Sequence, residues 1–122
     1  TLLVSGGFTF FPERSRERLG LDFTRSNQLE VQDGKLTGRI LEQPWGDICD
    51  GQEKARTLLE VATLMGIAPQ RCIAVGDGAN DLKMMAEAGV SVAYHAKPTV
   101  RRQAMVAINA GGLDRLLEVL PA

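Results

Sequence analysis

The sequence predicts an α/β chain: part of a doubly wound (Rossmann-like), mostly parallel sheet with flanking helices and a peripheral β-hairpin. Three observations predict it. Ile73-Ala74-Val75-Gly76 is a short apolar run that breaks into the loop Asp77-Gly78-Ala79-Asn80-Asp81, after which Leu82 to Ala88 resumes as a helix-forming segment. Apolar runs of this length, bounded by turn residues, mark strands buried on both faces. Similar runs alternate with helical segments along much of the chain, the pattern that builds parallel sheets. Finally, Leu29-Glu30-Val31 and Leu36-Thr37-Gly38-Arg39-Ile40 alternate in polarity around Asp33-Gly34, a hairpin signal.

Taken in order, Thr1-Leu2-Leu3-Val4 reads as a buried strand that ends at a Ser5-Gly6-Gly7 loop. The segment from Phe8 to Leu19 follows as a helix, with Pro12 near its start, where proline is tolerated, and Gly20 placed to stop it. After the hairpin, Gln43 to Gly51 is a loop; Trp45 is the single tryptophan, suited to pack against the hairpin. Asp47 and Asp50 resemble metal ligands there, but a solvated loop face is the better reading. Gln52 to Met65 has helical periodicity, with Ala55, Leu58, Leu59, Ala62 and Met65 on one face and Gly66 as terminator. Lys54 falls in the first turn, on the polar side of that register. Val90-Ser91-Val92-Ala93-Tyr94 is a further strand, Val100–Ala107 a short helix and Leu113–Leu120 a terminal amphipathic helix. His95, the only histidine, has no carboxylate or cysteine in its neighbourhood and reads as a loop residue, not a ligand.

Bulk composition bounds the function. With 122 residues and 44% apolar content the chain has single-domain size. Its 14 basic and 15 acidic residues nearly cancel, which argues against nucleic acid or an anionic membrane as the main partner. No apolar run has the length of a membrane span. The 2 cysteines, Cys49 and Cys72, stand far apart without a CxxC partner and read as reduced packing thiols of a cytoplasmic protein.

The acidic loop carries the chemistry. A strand, an acidic loop and a helix place ligand groups at the carboxyl end of a sheet, where both aspartates can face a crevice. Carboxylate oxygens suit Mg²⁺, which is held by one or two carboxylates, several waters and the substrate's own phosphate. Gly76 and Gly78 permit close approach, and Asn80 offers both a donor and an acceptor. The bland alternative, an ordinary Gly/Asn/Asp turn, needs only some of these five fixed positions. Ser5-Gly6-Gly7 exposes backbone N–H groups between strand and helix, an anion site if the helix follows directly; alone it is equally a tight turn. Lys54 is mismatched to the helix dipole, as expected of a lysine kept to neutralise phosphate and not to stabilise its helix.

In order and spacing, Ser5-Gly6-Gly7-Phe8, Lys54 and Gly76-Asp77-Gly78-Ala79-Asn80-Asp81 resemble the later motifs of the haloacid dehalogenase superfamily, and within it the phosphoserine phosphatase branch. The hairpin Leu29–Gly38 and the tail His95-Ala96-Lys97-Pro98 are similar as well. The resemblance implies a Mg²⁺-dependent hydrolase of a small phosphorylated substrate such as phosphoserine, working through an aspartyl-phosphate. It further implies that Ser5 and the Gly6 amide hold the phosphoryl group and that Lys54 bridges phosphate and nucleophile. Asp77 would ligate Mg²⁺, Asp81 would support the metal site, and Asn80 would contact phosphate or substrate. The P-type ATPase branch shares a similar acidic loop, but Ser-Gly-Gly and the hairpin favour the phosphatase.

One departure stands out. The superfamily's Asp-x-Asp pair, nucleophile and general acid/base, occurs nowhere in this sequence. Covalent phosphoryl transfer needs that attacking carboxylate. The expectation is therefore an incomplete core domain over residues 1–122, the carboxyl part of a longer hydrolase and inactive by itself. The competing expectation is a non-catalytic module that binds Mg²⁺ or phosphate, or associates with itself through the edge of its first strand.

Overall fold

The computed structural model describes residues 1–8, 10–41 and 49–120. Trp45 and Asp47, singled out in the sequence, lie outside the described residues. The α/β class holds. The order of elements is β1 (Leu2–Phe8), α1 (Phe10–Leu19), β2 (Phe23–Asn27), β3 (Leu29–Gln32), β4 (Lys35–Ile40), α2 (Gly51–Leu64), β5 (Ile73–Gly76), α3 (Leu82–Glu87), β6 (Val90–Tyr94), α4 (Pro98–Gln103) and β7 (Val106–Ile108).

The strands form separate sheets. β1 pairs in parallel with β2, β3 with β4 as an antiparallel hairpin, and β5, β6 and β7 form a parallel sheet in that order. β1 runs further than the sequence suggests. Ser5, Gly6 and Gly7 lie inside it, within a register irregularity between Val4 and Phe8 where extended backbone continues without regular pairing. β2 has no counterpart in the sequence reading. Its run Phe23-Thr24-Arg25-Ser26-Asn27 is polar at alternate and adjacent positions, so no apolar period announces it.

Local chemistry explains the elements that the sequence does place. Asp33 (φ 52) and Gly34 (φ 74) both adopt left-handed backbone, as a two-residue hairpin turn whose twist matches its strands requires. Asp50 caps α2 by accepting the Glu53 N–H at 3.0 Å. At the other end Gly66 (φ 66) turns the chain away, with the Gly66 N–H donating to Thr63 O and the Ile67 N–H to Ala62 O.

The predicted helix over Val100–Ala107 is instead α4 followed by β7. Pro98 starts the helix early. The Met105 N–H is captured by Ser91 Oγ at 3.0 Å, and Val106 then pairs with Val92. Leu113–Glu118 is a 3-10 helix with no buried residue, not an amphipathic α-helix.

Leu58, Ala74, Met85, Ala88, Ala93 and Val100 form the core, where α2, α3 and α4 meet β5 and β6. Leu58 and Ala62 of the expected α2 face are buried, whereas Met65 is half exposed. Gly89 is obligatory where α3 turns into β6: a Cβ there would stand 1.7 Å from the Gln70 carbonyl oxygen.

An apolar cleft of about 600 Å³ separates β1 from β5, lined by Leu2–Val4, Ile73–Val75, Leu58, Val61 and Ala62 of α2, and Met65 just beyond its end. Each lining strand is at the end of its sheet, so among the described residues two strand edges without a sheet partner border the cleft, across apolar side chains.

Candidate active site

Three segments meet at the N-terminus of α2. The first is the Ser5-Gly6-Gly7 part of β1, where Ser5 Oγ accepts the Gly7 N–H at 3.0 Å. The second is α2 itself, entered through Cys49 and the Asp50 cap. The third is the loop after β5, where Ala79–Asp81 forms one 3-10 turn ahead of α3. Packing fixes their approach. A Cβ on Gly6 would come 3.3 Å from Cys49 O, and one on Gly51 would come 2.8 Å from Asn80 O.

Lys54 and Asp81 form the centre. Lys54 Nζ donates to Asp81 Oδ1 at 2.8 Å, with the two side chains only 8% and 9% exposed. Lys54 is therefore not on a solvated face, as its helical register alone suggests: the acidic loop folds over it. The other oxygen of Asp81, Oδ2, accepts the N–H groups of Asp77 at 3.1 Å and Gly78 at 3.2 Å. Burial pushes the Asp81 carboxyl upward. The Lys54 hydrogen bond and charge, with the two backbone donors, outweigh burial and hold it below the usual carboxylate range.

Asp81 thus spends both oxygens inside the protein, shaping the loop. Gly76 makes this possible, because a Cβ there would lie 2.4 Å from the Asp81 Cβ.

Asp77 and Asn80 differ from Asp81: both are exposed, and no side-chain hydrogen bond engages either among the described residues. The Lys97 N–H donates to Asp77 O at 3.4 Å, which ties the His95–Pro98 loop to the acidic loop. His95 itself is a loop residue, its Nε2 2.9 Å from Gly111 O. No group of three or more His, Cys, Asp or Glu side chains that could hold a metal occurs among the described residues. The free donor is the single carboxylate of Asp77, which fits the Mg²⁺ habit of binding through one or two carboxylates plus substrate phosphate and water.

Cys49 is buried between these groups. Burial raises its pKa, and the nearby Lys54 and Arg25 charges and the Ser5 backbone only partly offset that. A thiol held protonated is a packing group, not a nucleophile.

The residue that sequence reasoning misses is Asn27, at the end of β2. It is 3% exposed, its Nδ2 donates to Gly6 O at 3.0 Å, and its Oδ1 accepts the Cys49 N–H at 2.8 Å. One amide therefore joins the Ser5-Gly6 segment to the entrance of α2. Nothing local flags it, since both partners are distant in sequence. Asn27→Leu should leave a carbonyl and an N–H unpaired and destabilise the chain by about 2–3 kcal/mol, read as a lower urea midpoint. An unchanged midpoint would show that water replaces the bridge.

Residues 1–86 match the family model for the haloacid dehalogenase-like hydrolases. The chain belongs to that family. A phosphoserine phosphatase from Polaromonas sp. is 70% identical over 119 residues, covering 98% of this chain and 50% of its own length. The chain therefore spans about half the length of that relative. The crystal structure of a probable phosphoserine phosphatase from Vibrio cholerae, in unliganded form, superposes with a TM-score of 0.88 at 46% identity, over 95% of this chain and 35% of that one. A phosphoserine phosphatase solved as a phospho-aspartyl intermediate analogue gives a TM-score of 0.89 at 37% identity, over 98% and 56% respectively.

Proposed function

We propose that this chain forms the phosphate- and Mg²⁺-binding part of a phosphomonoester hydrolase that converts phospho-L-serine and water to L-serine and phosphate through an aspartyl-phosphate. The carrying observation is the buried Lys54–Asp81 pair, packed between the acidic loop and the entrance of α2. Ser5 Oγ and the Gly6 N–H bind the phosphoryl oxygens. Lys54 supplies positive charge from the dry side of the pocket, where its field is least screened. Asp77 holds Mg²⁺, and Asn80 donates to phosphate or substrate. Bound Mg²⁺ supplies charge neutralisation at the phosphoryl oxygens. Phosphoryl transfer is mainly positioning plus such neutralisation, so these residues form a coherent electrophilic half.

The nucleophile is a carboxylate outside these 122 residues. It attacks phosphorus as the bond to the serine oxygen breaks; water then cleaves the acyl phosphate and frees the carboxylate. The phosphoserine phosphatase solved as a phospho-aspartyl intermediate analogue supports this route, and the cleft between β1 and β5 has room for a further segment. β1 and β5 both end at the N-terminus of α2, and an added strand between them would finish at the same point. Such a polypeptide is cytoplasmic, and this chain alone is the carboxyl part of its core domain.

The experiment is binding of inorganic phosphate with and without Mg²⁺, alongside phosphate release from phosphoserine. Expected are Mg²⁺-dependent phosphate binding, weakened at least tenfold by Ser5→Ala through loss of a charge-assisted hydrogen bond, and no release. Absence of phosphate binding would sink the site. Release abolished by Asp77→Asn would mean that a carboxylate within the chain attacks.

The same cleft favours a second reading, a non-catalytic module whose free strand edges pair with another copy. Its mark is a concentration-dependent dimer in sedimentation that competes with no phosphate.

A further inference from the structure

β2 presents two side chains toward the site, Arg25 and Asn27, two residues apart and so on one side of the strand. Asn27 holds the Ser5-Gly6 segment; Arg25 holds α2. Arg25 Nη1 donates to Glu60 Oε2 at 2.9 Å, to Thr57 Oγ1 at 3.1 Å and to Glu53 Oε1 at 3.4 Å, while Nη2 donates to Glu60 Oε1 at 3.3 Å. Positions 53, 57 and 60 form one stripe along the first turns of the helix. Two of the three are deeply buried: Glu53 is 2% exposed and Thr57 1%. Thr57 spends its hydroxyl proton on Glu53 O at 2.7 Å, so its oxygen is left to accept from Arg25. Lys54 directly follows Glu53 on the same turn, and its amine reaches Asp81 from there.

We infer that Arg25 is a positioning residue that fixes the rotation of α2 about its axis and so aims Lys54 at the phosphate pocket. This rests on the phosphate-site reading for its consequence in function, though not for its geometry. The planar guanidinium suits the task, because its fixed fork engages several acceptors at once with little freedom left. A lysine would keep the charge and lose the fork. Without the grip the helix is still capped by Asp50 and packed through Leu58, so the fold persists. Its register toward Asp81 is what loosens. Positioning errors near 1 Å at a reacting centre cost on the order of a hundredfold.

The test uses the 122-residue chain and the acetylation rate of each lysine, read by mass spectrometry, with exposed Lys35, Lys83 and Lys97 as internal references. In Arg25→Ala, Lys54 should react about tenfold faster relative to the three references, with Arg25→Lys falling between. Val92→Ala, a core change remote from the network, controls for general loss of stability. Lys54 labelling that rises equally in Val92→Ala, or stays flat in Arg25→Ala, would overturn the inference.

A second readout is inorganic phosphate affinity, expected to weaken about tenfold in Arg25→Ala and less in Arg25→Lys. Full wild-type affinity in Arg25→Lys beside a loss in Arg25→Ala would mean that charge alone matters and would also overturn it. Should the wild-type chain bind no phosphate, the phosphate-site reading fails, while the labelling pattern still decides the role of Arg25.

Discussion

Lys54→Met should destabilise the isolated chain by about 3 kcal/mol at pH 7, the cost of leaving a buried carboxylate without its charged partner. Both groups are almost wholly out of water, so the screening that makes surface ion pairs weak does not apply. Asp81 keeps its two backbone donors, which holds the loss at the lower end of the range for buried pairs. Urea denaturation reads the change directly. A loss under 1 kcal/mol would mean that water enters on truncation and that the pair is less sealed than its burial shows.

The pH dependence of that difference follows from the direction of the Asp81 shift. Its folded-state carboxyl is held below the unfolded range by Lys54 and two N–H groups, against the upward push of burial. A depressed folded pKa contributes stability that is present above the unfolded value, about 3.9, and is lost as pH falls through the folded value. In metal-free buffer the gap between wild type and Lys54→Met should therefore be flat around neutrality and close below about pH 4. A gap that closes instead near pH 7 would assign it to a different group.

Asp77→Asn should abolish Mg²⁺ binding, with an affinity loss of tenfold or more by calorimetry and little change in the urea midpoint. The exposed carboxylate makes no side-chain hydrogen bond among the described residues, so the fold has no use for its charge. A hard dication does, since it binds through charged oxygen donors. Mutant and wild type with equal Mg²⁺ affinity would refute the metal assignment. The contrast with Asp81 matters here: the two carboxylates sit four residues apart on one loop, one directed outward and one consumed within.

How much of this was legible beforehand depends on the range of the interaction. The hairpin turn at Asp33-Gly34, the stop at Gly66, the β5–loop–α3 unit and β6 are written in short spacings. They follow from local steric freedom and apolar period, both of which survive translation into any surroundings. The β1 extension, β2 and β7 were not legible. Ser5–Gly7 is extended inside an irregular strand, β2 carries the polar Arg25 and Asn27 and so shows no apolar period, and Val106 leaves the helix because Ser91 and Val92 receive it.

The site divides the same way. Residue types and order single out Ser5, Gly6, Lys54, Asp77, Asn80 and Asp81 as the groups proposed for phosphate and a hard cation. Only the tertiary structure decided that Lys54 is buried against Asp81, that Asp50 is a cap, and that Asn27 and Arg25 brace the two approaches to the pocket. The physical reason is that a side chain's charge and hydrogen-bonding capacity are properties of its residue. Whether that capacity is spent inside the protein or left for a ligand depends on partners that the chain brings together only by folding.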